Sequence, residues 1–194
     1  MNSFRSYHKF SLLVLLLIGC SCHGVALSAP ANPVVPFPRS ELTAAIAVEP
    51  GSRELSYNLG GTTAGLAHRF EIEVGETLER YASAYCARAF EAGSEISIEV
   101  RILSFSIEEG AGLLVTEFTA ERAGVPIFSP RYDVAGPPRF GLPGNRIVDA
   151  SVGVAAEGST TAMSESLHRT LHDVLTLTLS TFFQELSQEL RAQL

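Results

Sequence analysis

Residues 96–107 carry the pattern that most restricts how this chain can fold. Ile96, Ile98, Val100 and Ile102 alternate with Ser97, Glu99 and Arg101, and the apolar phase then moves by one residue to Leu103, Phe105 and Ile107. Alternation puts one face of a strand against a core and the other in water. A one-residue change of phase within such a strand is what a β-bulge produces. The stretch therefore predicts a long bulged strand. Glu108-Glu109-Gly110-Ala111-Gly112 follows as a hairpin loop, and Leu113 to Glu121 predicts the next strand. Ala123-Gly124 turns the chain into a third strand, Val125 to Val134. Pro126 and Pro130 have no N–H to donate, which places that strand at an edge or makes it irregular.

On either side of these strands the period becomes helical. Leu78, Tyr81, Ala82, Tyr85, Cys86, Ala89 and Phe90 recur at helical spacing from Glu76 onward, with Glu79, Arg80, Arg88 and Glu91 elsewhere. Glu76 suits the helix dipole and Gly93 suits a C-terminal cap. From about Ala162 to Ala192, Leu167, Leu171, Val174, Leu175, Leu179, Phe182, Phe183, Leu186 and Leu190 form a second apolar stripe. Thr160 or Thr161 can cap its start. The threonines in its centre lower helix propensity, so packing must hold this helix. Earlier in the chain, Leu42 to Val48 predicts a first strand, and Pro50-Gly51 and Asn58-Leu59-Gly60-Gly61 a turn and a loop. Leu66 to Val74 alternates as a half-buried strand. Ala135 to Thr161 reads as a long Gly/Pro-rich loop with a short strand near Ile147 to Val154. Together these elements predict an α+β domain over residues 41–194: an antiparallel sheet of about four to five strands with two helices packed on one face.

The N-terminus has a different character. Arg5 and Lys9 precede the apolar run Phe10 to Ile18, and Gly19 and Cys20 close it. A basic segment, an apolar segment and a small residue before the cut describe a secretory signal over residues 1–19. The run is too short for the ~20 residues that span a bilayer. Leu17-Ile18-Gly19-Cys20 resembles the lipobox of bacterial lipoproteins. The resemblance implies cleavage after Gly19, a diacylglycerol on the Cys20 thiol and an acyl group on its new amine. Ser21 is not the aspartate that holds such proteins at the inner membrane, so the implied location is the outer membrane, facing the periplasm. Residues 20–40 hold the prolines of SCHGVALSAPANPVVPFPRS and read as a semi-extended tether.

Charge and residue chemistry narrow the remaining choices. The whole chain is formally −7, and the signal removes two cations, leaving −9 on the mature part. An acidic domain of this kind lacks the basic face a nucleic-acid partner requires. A hydrophobic fraction of 46% is ample for a core. Cys22 and Cys86 remain if Cys20 is acylated. They could pair in an oxidising compartment, but Cys86 on a helix reads as a small buried hydrophobe. Cys20 and Cys22 are too few for structural zinc. His168 and His172 share a helix face, yet Arg169 stands where a zinc protease has its glutamate, and Asp173 projects from a different side. No serine sits in a G-x-S-x-G elbow. Gly60-Gly61-Thr62-Thr63 has no following lysine, so it makes no P-loop. Glu108-Glu109 reads as a solvated hairpin tip. No catalytic constellation, metal site or cofactor is expected. A hydrolase would have to use His68, His168 or His172 with a buried partner.

The order of elements carries a second resemblance, through Arg69 to Phe90, Ile96 to Tyr132 and Met163 to Leu190. The chain resembles small envelope lipoproteins of Gram-negative bacteria, in particular YajG-type lipoproteins and the auxiliary lipoprotein component of ABC-type transporters. What the resemblance implies is a non-enzymatic accessory subunit of an envelope assembly or transport complex. Its partners would be membrane lipid through Cys20 and an envelope protein complex or further copies of itself. The alternative is a periplasmic module binding a lipid or other small apolar ligand between sheet and long helix.

Overall fold

The computed structural model describes residues 20–25, 27–28, 30–31, 33, 35, 38–63, 66–108, 111–137 and 156–193. The signal segment with Gly19, residue Glu109 and the strand expected near Ile147 to Val154 lie outside them. Along the described chain run β1 (Cys20–Val25), β2 (Thr43–Val48), α1 (Pro50–Arg53), β3 (Ser56–Thr63), β4 (Leu66–Glu73), α2 (Val74–Ala89), β5 (Glu91–Ala92), β6 (Ile96–Glu108), β7 (Ala111–Arg122), β8 (Val125–Phe128), β9 (Arg131–Ala135) and α3 (Ala156–Ala192).

The α+β class holds, but the sheet differs from the expected one. The strands form two sheets: β1-β4-β3, and β5-β2-β6-β7-β8 with β9 also on β7. Both sheets are mixed. β1 runs parallel to β4, and β2 runs parallel to both β5 and β6, while the remaining pairs are antiparallel. The parallel β2–β6 pair requires a long crossover, and α1, β3, β4 and α2 supply it. Sequence patterning marks which face of a strand is buried and says nothing about its direction, so the parallel pairs were not foreseen.

The bulge sits where the phase changes. The β6–β7 register shifts between Ile102 and Ser104. Ahead of it Ile96, Ile98, Val100 and Ile102 are buried. Beyond it Phe105 and Ile107 stand opposite Leu114 and Gly112 and pack against the core. Leu103, the extra residue, is 36% exposed. The bulged backbone is held from outside the sheet. Ile102 N donates to Ser52 Oγ at 2.9 Å, and Ser52 Oγ donates to Glu49 Oε2 at 2.9 Å. Ser52 is 4% exposed. Ser52→Ala leaves a buried N–H without an acceptor, and the expected loss is about 1–3 kcal/mol of unfolding free energy, read as a lowered urea midpoint.

The proline-bearing strand is irregular, as expected. It divides into β8 and β9, both paired to β7, and Phe118 N donates to Pro130 O at 3.0 Å across the break. Ala123 and Gly124 both have positive φ, 53° and 76°, as a tight primed hairpin turn requires.

Three further expectations change. Asn58-Leu59-Gly60-Gly61 lies within β3 and forms no loop. Gly93 does not cap α2; the helix ends where Phe90 turns extended, at φ −130° and ψ 168°. The last helix begins at Ala156, so Thr160 and Thr161 lie inside it.

The two long helices pack on each other, α2 over β2 and α3 over β7 and β9. Every residue of the predicted α3 stripe, from Leu167 to Leu190, is buried. The ring of Phe182 stacks on Phe118 at 4.1 Å and meets Phe183 at 5.1 Å. Gly112 lets α3 approach β7 closely: a Cβ there would lie 2.8 Å from Thr170 Cγ2 and 3.0 Å from Val174 Cγ1.

Candidate functional site

Two places can be built from the residues upward: the strand that starts at Cys20, and a cleft where the N-terminal arm meets the ends of the helices. β1 begins at Cys20, the residue the lipobox marks. Its six residues pair in parallel with β4, from Cys20 opposite Ala67 to Val25 opposite Ile72. Val25 is fully buried. Leu27 and Val35 pack against the core, and Pro33 is buried. Within residues 20–40, expected as a spacer, the strand β1 and the side chains of Val25, Leu27, Pro33 and Val35 are thus docked on the fold. The prolines deny this arm a regular ladder beyond Val25, but apolar side chains still find the core.

The arm ends by capping α2. Ser40 N donates to Ala89 O at 2.8 Å. Arg39 donates through Nε and Nη2 to Phe90 O at 3.1 and 3.0 Å. A guanidinium on the last carbonyls of a helix is favoured by the unpaired C=O groups and by the dipole. Glu91 N then donates to Leu42 O at 3.1 Å. Between this arm and the last turns of α3 lies a cleft of about 390 Å³. Leu42, Phe90 and Leu190 give it an apolar lining, and Arg39, Glu41 and Arg191 a charged one. Such a surface suits a small group with an apolar body and a polar end. Sequence periodicity gives no sign of it, because residues 38–42 and 187–191 lie at opposite ends of the chain.

Among the described residues, aromatic side chains pack between the sheet and the long helix, where a ligand was expected. Tyr85 and Phe183 stack with ring centroids 6.2 Å apart, and Phe128 and Phe182 at 6.0 Å. The Phe118–Phe182 and Phe128–Phe182 pairs join sheet to helix, and the Tyr85–Phe183 pair joins the two helices.

His172 Nδ1 lies 2.8 Å from the Tyr81 hydroxyl on α2, an interhelical tie, and His168 is half-buried one turn earlier. Burial, with the nearby Tyr85, raises the Tyr81 pKa and keeps its hydroxyl neutral. The side chain of His68 lies outside the described atoms. Among the described residues no group of three or more His, Cys, Asp or Glu is placed to hold a metal ion. Cys22 is exposed and free, whereas Cys86 is buried and free. The disulfide considered between them is absent, and Cys86 packs as a small hydrophobe. Burial pushes the Cys86 thiol up to about 11. Since the thiolate is the reactive form, iodoacetamide at mildly alkaline pH should modify Cys22 in the native protein, and Cys86 only after unfolding; intact-mass spectrometry reads both.

No protein-family model and no curated protein matches the sequence. Among solved structures, a crystal structure of a Xanthomonas campestris protein, described with the family model DUF330, has a TM-score of 0.54 at 12% sequence identity. The alignment covers 88% of this chain and 99% of that one. The two chains share a fold. At that identity the likeness speaks to architecture alone and adds nothing to the YajG-type resemblance. A structure from Caulobacter crescentus, provisionally described as a lipoprotein, reaches a TM-score of 0.32 at 10% identity, over 57% of this chain and 83% of its own. That likeness carries no argument. Among the described residues no helix is long and apolar enough to cross a membrane.

Proposed function

We propose that this chain is a lipid-anchored protein of the bacterial envelope, held through acylated Cys20 and facing the periplasm from the outer membrane. In this reading it is a non-enzymatic accessory subunit of an assembly or transport complex. The observation that carries it is Leu17-Ile18-Gly19-Cys20, directly after a basic and then an apolar segment. Each buried methylene of the acyl chains contributes about 0.8 kcal/mol, and two or more chains give durable anchoring. Cys20→Ser should abolish incorporation of a clickable fatty acid and move the protein from the membrane fraction to the soluble one. Labelling that persists in this variant would refute the anchor. The accessory role predicts a second envelope protein in cross-linked membranes, and recovery of the chain alone would count against it.

The second reading, a module for a lipid or other small apolar ligand, is favoured by the cleft at Leu42, Phe90 and Leu190. It rests on apolar lining beside the charged Arg39, Glu41 and Arg191, which suits a ligand with an apolar body and a polar end. Native mass spectrometry after gentle extraction should then show a co-purifying mass, lost in Leu190→Glu.

A further inference from the structure

The pairing around β1 fixes which end of the molecule lies beside Cys20. Cys20 is level with Ala67 on β4, and Ala67 is level with Thr62 on β3. One row further out, Thr63 pairs with Leu66, the last pair of the β3–β4 ladder. The first residue of β1 and this final row thus occupy the same end of the three-stranded sheet.

Along the three paired strands, no aspartate, glutamate, lysine or arginine stands at that end. From Leu59 to Ala67 the sequence is LGGTTAGLA, in a mature chain with a formal charge of −9. Charge begins two rows inward, at Arg69, whose Nε donates to Asn58 Oδ1 at 2.9 Å. Glu71 and Glu73 follow toward the opposite end of β4. At about 3.4 Å per residue, Arg69 stands roughly 7 Å inward of Cys20, and the Thr63–Leu66 row about 3 Å outward of it. Interfacial helices bury their apolar face roughly 5–10 Å into the headgroup and acyl boundary, close to the height of the strand ends outward of Arg69. Nor is there slack between anchor and fold, because the ladder to β4 starts at Cys20 itself.

We infer that the Cys20 end of the three-stranded sheet is a membrane-contacting surface: the Thr63–Leu66 row lies in the headgroup layer of the bilayer that holds the acyl chains, with Arg69 at phosphate level. This rests on the lipid anchor proposed above. The partner is a phospholipid surface. Because the domain is acidic and the strands carry no lysine or arginine outward of Arg69, a zwitterionic bilayer suffices.

The chain contains no tryptophan, so a single introduced indole is a clean reporter. Acylated Thr63→Trp protein would be reconstituted into phosphatidylcholine vesicles with and without brominated acyl chains. The expected result is blue-shifted emission and strong bromine quenching. Ser56→Trp, exposed at the far end of β3, should keep aqueous emission without quenching. Leu66→Trp, in the same row as Thr63, repeats the measurement should Thr63→Trp fail to fold by circular dichroism. Protein that floats with the vesicles while both outer-row reporters stay aqueous overturns the contact and leaves the anchor intact. Protein that does not float overturns the anchor itself.

Discussion

Gly75→Ala is expected to unfold the protein or to lower its stability by at least about 3 kcal/mol, at the upper end of overpacking effects. Gly75 lies in the first turn of α2, where the chain passes against α1. A Cβ there would overlap the carbonyl oxygens of Ser52 and Arg53 and lie 2.6 Å from the Arg53 carbonyl carbon. Both obstacles are backbone, so no rotamer change relieves them. The approach is also fixed by a hydrogen bond, Gly75 N to Leu55 O at 3.0 Å. Moving α1 away would pull Ser52 from Ile102 N and release the bulge of β6. Domains are stable by only about 5–15 kcal/mol, so the loss is a large share. Gly51→Ala is the control: nothing lies within 4 Å of its added methyl, and alanine is the better residue in a helix by about 1 kcal/mol. The two variants should shift the urea midpoint in opposite directions from wild type. Equal midpoints would show that the close approach does not constrain the fold.

Phe182→Ala is the second large effect. Phe182 is fully buried and meets rings from β7, β8 and its own helix, Phe118, Phe128 and Phe183. Removing it leaves a cavity that the surrounding backbone elements cannot collapse to fill. Phe→Ala in such a site costs about 3–5 kcal/mol. Leu177 lies on the same helix but is 48% exposed, and Leu177→Ala should change stability by no more than about 0.5 kcal/mol. Both substitutions put alanine into the same helix, so chemical denaturation of the pair separates lost packing from changed helix propensity.

Legibility in the sequence followed the range of the forces involved. The α3 stripe was readable because a buried helix face imposes its period locally on Leu167 to Leu190. The bulge was readable for a similar reason: Phe105 and Ile107 could reach the core only if the strand slipped by one residue. Pro126 and Pro130 announced the broken edge through the donors they lack. By contrast, β1 and β3 are CSCHGV and SYNLGGTT, polar or Gly-rich segments without alternation. They are strands because β4 offers both of its edges to them. Such pairing is a property of the assembled fold and leaves little trace in local composition. The same holds for the arm. Its prolines pointed to a free spacer up to Ser40, yet Arg39 and Ser40 find the end of a helix far along the chain. Of the candidate sites, the lipobox is a local signal and was visible at once. The cleft beside Leu190 depends on two ends of the chain meeting, and no local pattern could reveal it.

The direction of β1 has a mechanical consequence. A load applied at Cys20 along the strand enters the fold at the end of a six-residue parallel ladder. The bonds of that ladder lie across the pull, so they resist together in shear and cannot be opened one at a time. Behind them, the two hydrogen bonds from Arg39 to Phe90 O and the one from Ser40 to Ala89 O form a second stop. Tension on the N-terminus is thereby passed to α2 and the core, and the arm transmits force where a loose spacer would absorb it.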